Sequence, residues 1–132
     1  MRSIEHPKTE TLFRYSTNAL AGEEATDYLY EMGHRRIAYF GVSNAMLFSA
    51  ERKRGYQMSL LKHGITPREE DCMEIDTLND AYEETLKALL TAPDRPTAML
   101  VSDDILAVVL EQFCGKLGLH VPKDLSIVSF NN

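Results

Sequence analysis

Four short apolar runs, Arg36–Gly41, Cys72–Asp76, Ala98–Ser102 and Ser126–Phe130, predict strands buried on both faces. The segments between them carry apolar residues at helical spacing. A first helix is expected from about Leu20 to Met32, with Ala25, Tyr28, Leu29 and Met32 on one face, Asn18 as its cap and Gly33 as its stop. A second, Ser49 to His63, is expected to pack through Gly55, Met58 and Leu61 and to end at Gly64 and Pro67. Glycine inside a helix costs about 1 kcal/mol relative to alanine, so Gly55 points to close packing on the sheet. The third helix, Asp80 to Thr91, presents Tyr82, Leu86, Leu89 and Leu90 before the turn Pro93–Asp94–Arg95–Pro96. The fourth, Asp104 to Leu117, presents Leu106, Val109, Leu110, Phe113 and Leu117, and Gly118 and Pro122 close it.

Strands that alternate with helices pair in parallel, because a parallel neighbour needs a long crossover and a helix is the usual one. The fold class is therefore α/β, a three-layer parallel sheet flanked by helices. Met1–Arg14 shows no clear periodicity, and residues 1–17 are assigned to an N-terminal tail or the remnant of a preceding subdomain; residues 18–132 are expected to form one subdomain. A chain of 132 residues with 44% hydrophobic content is large enough for one core.

Charge narrows the partners. Lys and Arg total 14 against 20 Asp and Glu, a net charge of -6 that disfavours contact with phosphate backbones. The basic triplet His34-Arg35-Arg36 reads as a solvated edge at a strand entrance. Cys72 and Cys114 lack metal-ligand spacing and are expected as reduced core thiols. No metal ligand set and no cofactor motif is present in the sequence. No apolar stretch reaches the length of a membrane span and no secretory leader opens the sequence, which points to the cytoplasm.

In an open parallel sheet, ligands bind beyond the C-terminal strand ends. The residues due there are Val42 to Arg52, Asp76 and Thr77, Asp103 and Asp104, and Asn131 and Asn132. Carboxylates and amides accept from hydroxyls, while Arg and Asn donate to ring and hydroxyl oxygens, a mixture suited to a sugar or a nucleoside-like ligand. Asp103 and Asp104 have a plainer competing role as helix caps, and Arg52, beside Lys53 and Arg54, as an exposed helix cation. The phosphate loop, nucleophile elbow, helical zinc pair and dinucleotide fingerprint are all missing from the sequence, and adjacent aspartates at a helix start point apart, so binding without turnover is expected.

Five stretches in fixed order carry a family resemblance. They are Gly33-His34-Arg35-Arg36-Ile37-Ala38; Ser49-Ala50-Glu51-Arg52 with Gly55-Tyr56; Arg95-Pro96-Thr97-Ala98; Gly118-Leu119 with Val121-Pro122; and Ser126-Ile127-Val128. From about Tyr15 onward the chain resembles the lac-repressor/gal-repressor family of bacterial transcription regulators, in the effector-binding core and mainly its C-terminal subdomain, a fold like that of periplasmic binding proteins and of flavodoxin. The resemblance implies that Arg52, in its Arg-x-x-Gly-aromatic motif, binds effector. It implies further contacts from Met46, Phe48, Thr77 and Asp103, and from Asn131, the first of a pair that in the family is Asp-Asp or Asp-Asn. An amide at Asn131 gains donors and loses one acceptor relative to aspartate, and Thr77 stands where an aromatic often stacks on the sugar. Thr17 and Asn18 match a hinge step from which the family's Asp is missing; Asn18 and Asp104 are assigned a secondary place.

The same resemblance implies a homodimer, and DNA contact only through an N-terminal helix-turn-helix headpiece that this sequence does not include. Because the ligand normally sits between two subdomains, this half is expected to bind its effector weakly or not at all. The rival is a periplasmic-type sugar-binding protein that feeds a transporter. A receiver-type enzyme would place its acidic pair after the first strand, not the third.

Overall fold

The computed structural model describes residues 2–5, 14–42, 47–76 and 81–131, with side chains described for 18–42, 49–76 and 81–130. In chain order the elements are β1 (Arg2–Glu5), α1 (Arg14–Glu31), β2 (Ile37–Val42), α2 (Leu47–Lys62), β3 (Cys72–Ile75), α3 (Glu83–Thr91), β4 (Ala98–Val101), α4 (Asp104–Leu117) and β5 (Ser126–Asn131). All strands pair in parallel in the order β1-β5-β4-β2-β3. The predicted α/β sheet is thus present, with one strand more: Arg2–Glu5, given no element in the sequence, lies beside β5 with Arg2 opposite Val128.

Alternation along each strand builds two cores. Ala38, Phe40, Met99, Val101 and Ile127 face α3 and α4, where they meet Leu86, Leu90, Leu110 and Phe113. Their neighbours Ile37, Tyr39, Ala98, Leu100, Val128 and Phe130 face α1 and α2, against Ala25, Leu29, Tyr56 and Leu60. Strands covered on both faces must be apolar throughout, which is why they read as continuous runs in the sequence. One cysteine belongs to each layer: Cys114 is buried in the first and Cys72 packs against the second, both free, and burial pushes both thiols up to about 11.

The helix ends follow the predicted glycines. Gly33, Gly64 and Gly118 all have positive φ, and Gly118 closes α4 with its N–H directed at the carbonyls of Cys114 and Gly115.

Three expectations about helix faces are corrected. Asn18 does not cap a helix starting at Leu20, because α1 begins at Arg14; the buried stripe Asn18, Ala21, Ala25 and Leu29 runs through that earlier turn. Met32 lies just beyond α1 and is exposed. On α2, Met58 and Leu61 are exposed, and the buried stripe is Ser49, Arg52, Gly55, Tyr56, Ser59 and Leu60. Gly55 does approach another element closely, but that element is α1: a Cβ there would lie 2.0 Å from the Ala19 carbonyl oxygen.

Arg36 is no solvated edge. It grips Asp71 through Nε at 3.1 Å and Nη2 at 2.7 Å, and also pairs with Asp94. Its partner Asp71, at the end of a single 3-10 turn, is only 3% exposed. The pair ties the entrance of β2 to the entrance of β3, and Arg35 lies over the Tyr30 ring. Replacing Asp71→Asn removes a mostly buried charge partner and is expected to cost about 1–3 kcal/mol. Urea denaturation checks this: the midpoint should fall with the slope unchanged.

Candidate functional site

A crevice forms in a parallel sheet where neighbouring strands send their connections to opposite faces. Strand β2 leads into α2 on one face, while its neighbour β4 leads into α4 on the other. The C-terminal ends of β2 and β4 are therefore the switch point, and the polar residues of the site lie around it.

Arg52 sits one helical turn before Gly55 on the buried stripe of α2 and is 0% exposed. Its Nη1 donates to the Ser102 carbonyl at the end of β4, 2.6 Å away, and its guanidinium carbon stands 4.4 Å from the centre of the Phe130 ring on β5. Burial pulls the Arg52 pKa down to about 10, against the opposing charges that include Asp103 and Asp104. The side chain therefore remains a cation at neutral pH. A buried cation is costly unless it is paired and hydrogen-bonded, which makes Arg52 a candidate site residue. The competing reading of Arg52 as an exposed helix cation does not hold, because the side chain is fully buried.

Hydroxyls fix the rest. Ser102 Oγ accepts from the Val42 N–H at 3.3 Å and donates to Asp103 Oδ2 at 3.2 Å, joining the ends of β2 and β4. Asp103 Oδ1 accepts from the Leu106 N–H at 3.0 Å, so the plainer role foreseen for it, N-cap of α4, is realised. The Ser129 hydroxyl on β5 donates to Asp104 at 2.5 Å. On the α2 side the Tyr39 hydroxyl bonds Ser49 Oγ at 3.0 Å, and Ser49 donates to the Val42 carbonyl at 2.7 Å. Burial raises the Tyr39 phenol far above its ordinary value, so it stays protonated. Its ring covers Gly41, where a Cβ would lie 2.2 Å from the Tyr39 hydroxyl.

Of the residues predicted from sequence, Arg52, Asp103 and Asp104 come together at the crevice. Asn131 is the last residue of β5 and Phe48 lies in the first turn of α2, but their side chains are outside the described set. Met46, Thr77 and Asn132 lie outside the described residues altogether. Asn18 is buried on α1, one turn before Gly22. Sequence reasoning missed Ser102, Ser129 and Phe130. The signal was available for Ser129: a hydroxyl inside an otherwise apolar buried strand needs a polar partner. Among the described residues no group of three or more His, Cys, Asp or Glu side chains is placed to hold a metal ion, and no helix is long and apolar enough to cross a membrane.

The buried arginine thus lies at the switch point, the place where open parallel α/β sheets take ligands. A sequence model described as the periplasmic binding protein-like domain matches residues 26–132. The HTH-type transcriptional repressor CytR of Escherichia coli strain K12 is 32% identical over 126 residues, covering 96% of this chain and 37% of the repressor. Among solved structures, a LacI family transcriptional regulator from Mycobacterium smegmatis superposes with a TM-score of 0.76 at 32% identity, covering 87% of this chain and 43% of that one. The transcriptional regulator CelR, in complex with cellobiose, gives 0.74 at 31% identity, over 85% and 34% respectively. The chain belongs to the periplasmic binding protein-like domain family, in the branch formed by the effector-binding cores of lac-repressor/gal-repressor regulators. It spans somewhat over a third of the length of the curated relatives it matches.

The capping role of Asp103 is tested by substitution. Asp103→Ala should cost about 1 kcal/mol through loss of the cap, and Asp103→Asn only a few tenths, because the amide oxygen still accepts from Leu106. Thermal unfolding of the two variants checks this, and equal losses would count against the cap.

Proposed function

We propose that this chain is part of the ligand-sensing unit of a LacI-type transcription regulator, with residues 18–132 as the C-terminal subdomain of its effector-binding core. In this reading a small sugar or nucleoside-like effector is held by Arg52, Asp103, Asn131, Thr77, Phe48 and Met46, with Asn18 and Asp104 in supporting places. Ligand closes the cleft against a second subdomain and shifts the conformations open to an attached DNA-binding headpiece. The whole regulator then works in the cytoplasm as a homodimer and performs no catalysis.

The observation that carries the proposal is the buried, cationic Arg52, anchored by the Ser102 carbonyl and the Phe130 ring at the topological switch point. A guanidinium fixed this way presents donors to hydroxyl and ring oxygens without further loss of side-chain freedom. The cellobiose complex of CelR supports a sugar-like effector, and the DNA-binding repressors among the relatives support a regulator over a transport protein. The net charge of -6 fits a sensing part whose contact with DNA is made elsewhere.

Calorimetric titration of this chain with cellobiose, ribose and adenosine tests the reading. Binding in the millimolar range or weaker is expected, since half the cleft is supplied by the other subdomain. Arg52→Met should weaken whatever binding is seen by about 10- to 100-fold, the worth of hydrogen bonds to a charged group. Micromolar binding by this chain, or binding indifferent to Arg52→Met, would refute the shared-cleft reading.

A further inference from the structure

We propose that Gly22 of α1 is a positioning residue for the Arg52 guanidinium, an inference that rests on the reading of Arg52 as the ligand-binding arginine. Helices α1 and α2 cross with their backbones in contact, and both sides of the contact are glycine. A Cβ added to Gly22 would lie 2.4 Å from the Arg52 carbonyl oxygen and 3.0 Å from its carbonyl carbon and Cα. One added to Gly55 would lie 2.0 Å from the Ala19 carbonyl oxygen and 2.6 Å from the Glu23 nitrogen. These neighbours are backbone atoms, which cannot rotate aside as a side chain can. Gly22 is not among the positive-φ glycines, so what it supplies is space, not an unusual dihedral.

The contact falls on Arg52 itself. Ordinary van der Waals contact begins near 3.4 Å, so accommodating a Cβ at Gly22 requires the Arg52 carbonyl to retreat by about 1 Å. The other end of α2 resists that movement. Lys62 donates to both Glu23 and Asp27, at 2.8 and 2.7 Å, and Ser59 donates to Asp27 at 2.5 Å. The Thr26 hydroxyl, hydrogen-bonded to the Gly22 carbonyl at 2.9 Å, stiffens α1 at the same place. With the C-terminal half of α2 fastened to α1, the displacement concentrates at Arg52. Its head group spans a fixed distance from that backbone to the Ser102 carbonyl and the Phe130 ring, so an ångström of retreat breaks a 2.6 Å hydrogen bond. Gly22 thus sets how far the guanidinium reaches into the crevice.

The side-chain Nε–Hε signal of Arg52 reports this directly by NMR on the ¹⁵N-labelled chain, and it is identified by its loss in Arg52→Lys. In the unaltered chain it should be shifted by the Phe130 ring current and protected from solvent exchange. In Gly22→Ala the ring-current shift should collapse and exchange should quicken by about tenfold or more, while the backbone spectrum of α3, α4 and the sheet is retained. Two controls separate positioning from general loosening. Leu60→Ala opens a cavity in the same layer about two turns of α2 beyond Arg52, and Gly115→Ala adds a methyl where no neighbour lies within 4 Å. Both should leave the Arg52 signal in place. An unchanged signal in folded Gly22→Ala, or an equal change in Leu60→Ala, overturns the proposal. If Gly22→Ala does not fold in buffer, the spectrum is taken in about 1 M trimethylamine N-oxide, which favours the folded state. A chain still unfolded there also overturns it, since the glycine would then serve the whole fold. No effector enters the experiment, so its failure leaves the functional reading standing, and failure of the ligand titration leaves the placement of Arg52 intact.

Discussion

Parallel strands cannot be joined by a tight turn, and nearly everything in this structure descends from that constraint. Each strand must be followed by a crossover, each crossover here contains a helix, and the helices cover both faces of the sheet. Covered strands become largely apolar. Polar chemistry then gathers mainly at strand ends, and β2 and β4 send their chains to opposite sides, which is where an open parallel sheet leaves a crevice.

Within that gap the electrostatics are asymmetric. One cation, Arg52, lies fully buried, while the carboxylates Asp103 and Asp104 lie closer to the surface and are each held by a serine hydroxyl. Ser129 stands on β5, and Ser102 directly follows β4 with its N–H bonded to the Phe40 carbonyl at 3.0 Å, so the acceptor side of the crevice is tied to the sheet. The donor side depends on a helix, and its placement depends on how two helices meet.

The fold was legible because hydrophobic runs and glycine stops are local signals. All four predicted strands are present, shifted by a residue at most at either end, and α4 spans the residues expected. Arg2–Glu5 escaped notice because Arg-Ser-Ile-Glu offers no apolar run, and its pairing depends on a partner some 125 residues away. Helix faces were harder. Met58 and Leu61 form an apolar stripe that stays exposed, because α2 turns its small and polar residues inward to meet α1 and to lodge an arginine. Apolarity identifies a buried face only when the neighbour wants apolar surface, and here the neighbour is another helix at backbone distance. For the candidate site, the motif located Arg52 but composition alone argued for a solvated cation; burial by tertiary packing cannot be read from a single helix.

The two cysteines give the molecule a pair of independent clocks. Cys114 lies in the layer formed with α3 and α4, and Cys72 packs against the layer formed with α1 and α2. Both thiols are held near 11, so thiolate is scarce at each, but Cys114 is wholly buried whereas Cys72 is half-buried at the margin of its layer. The labelling rate of Cys114 then times the opening of one leaf of the molecule, and Cys72 on the other leaf shows whether the two loosen together.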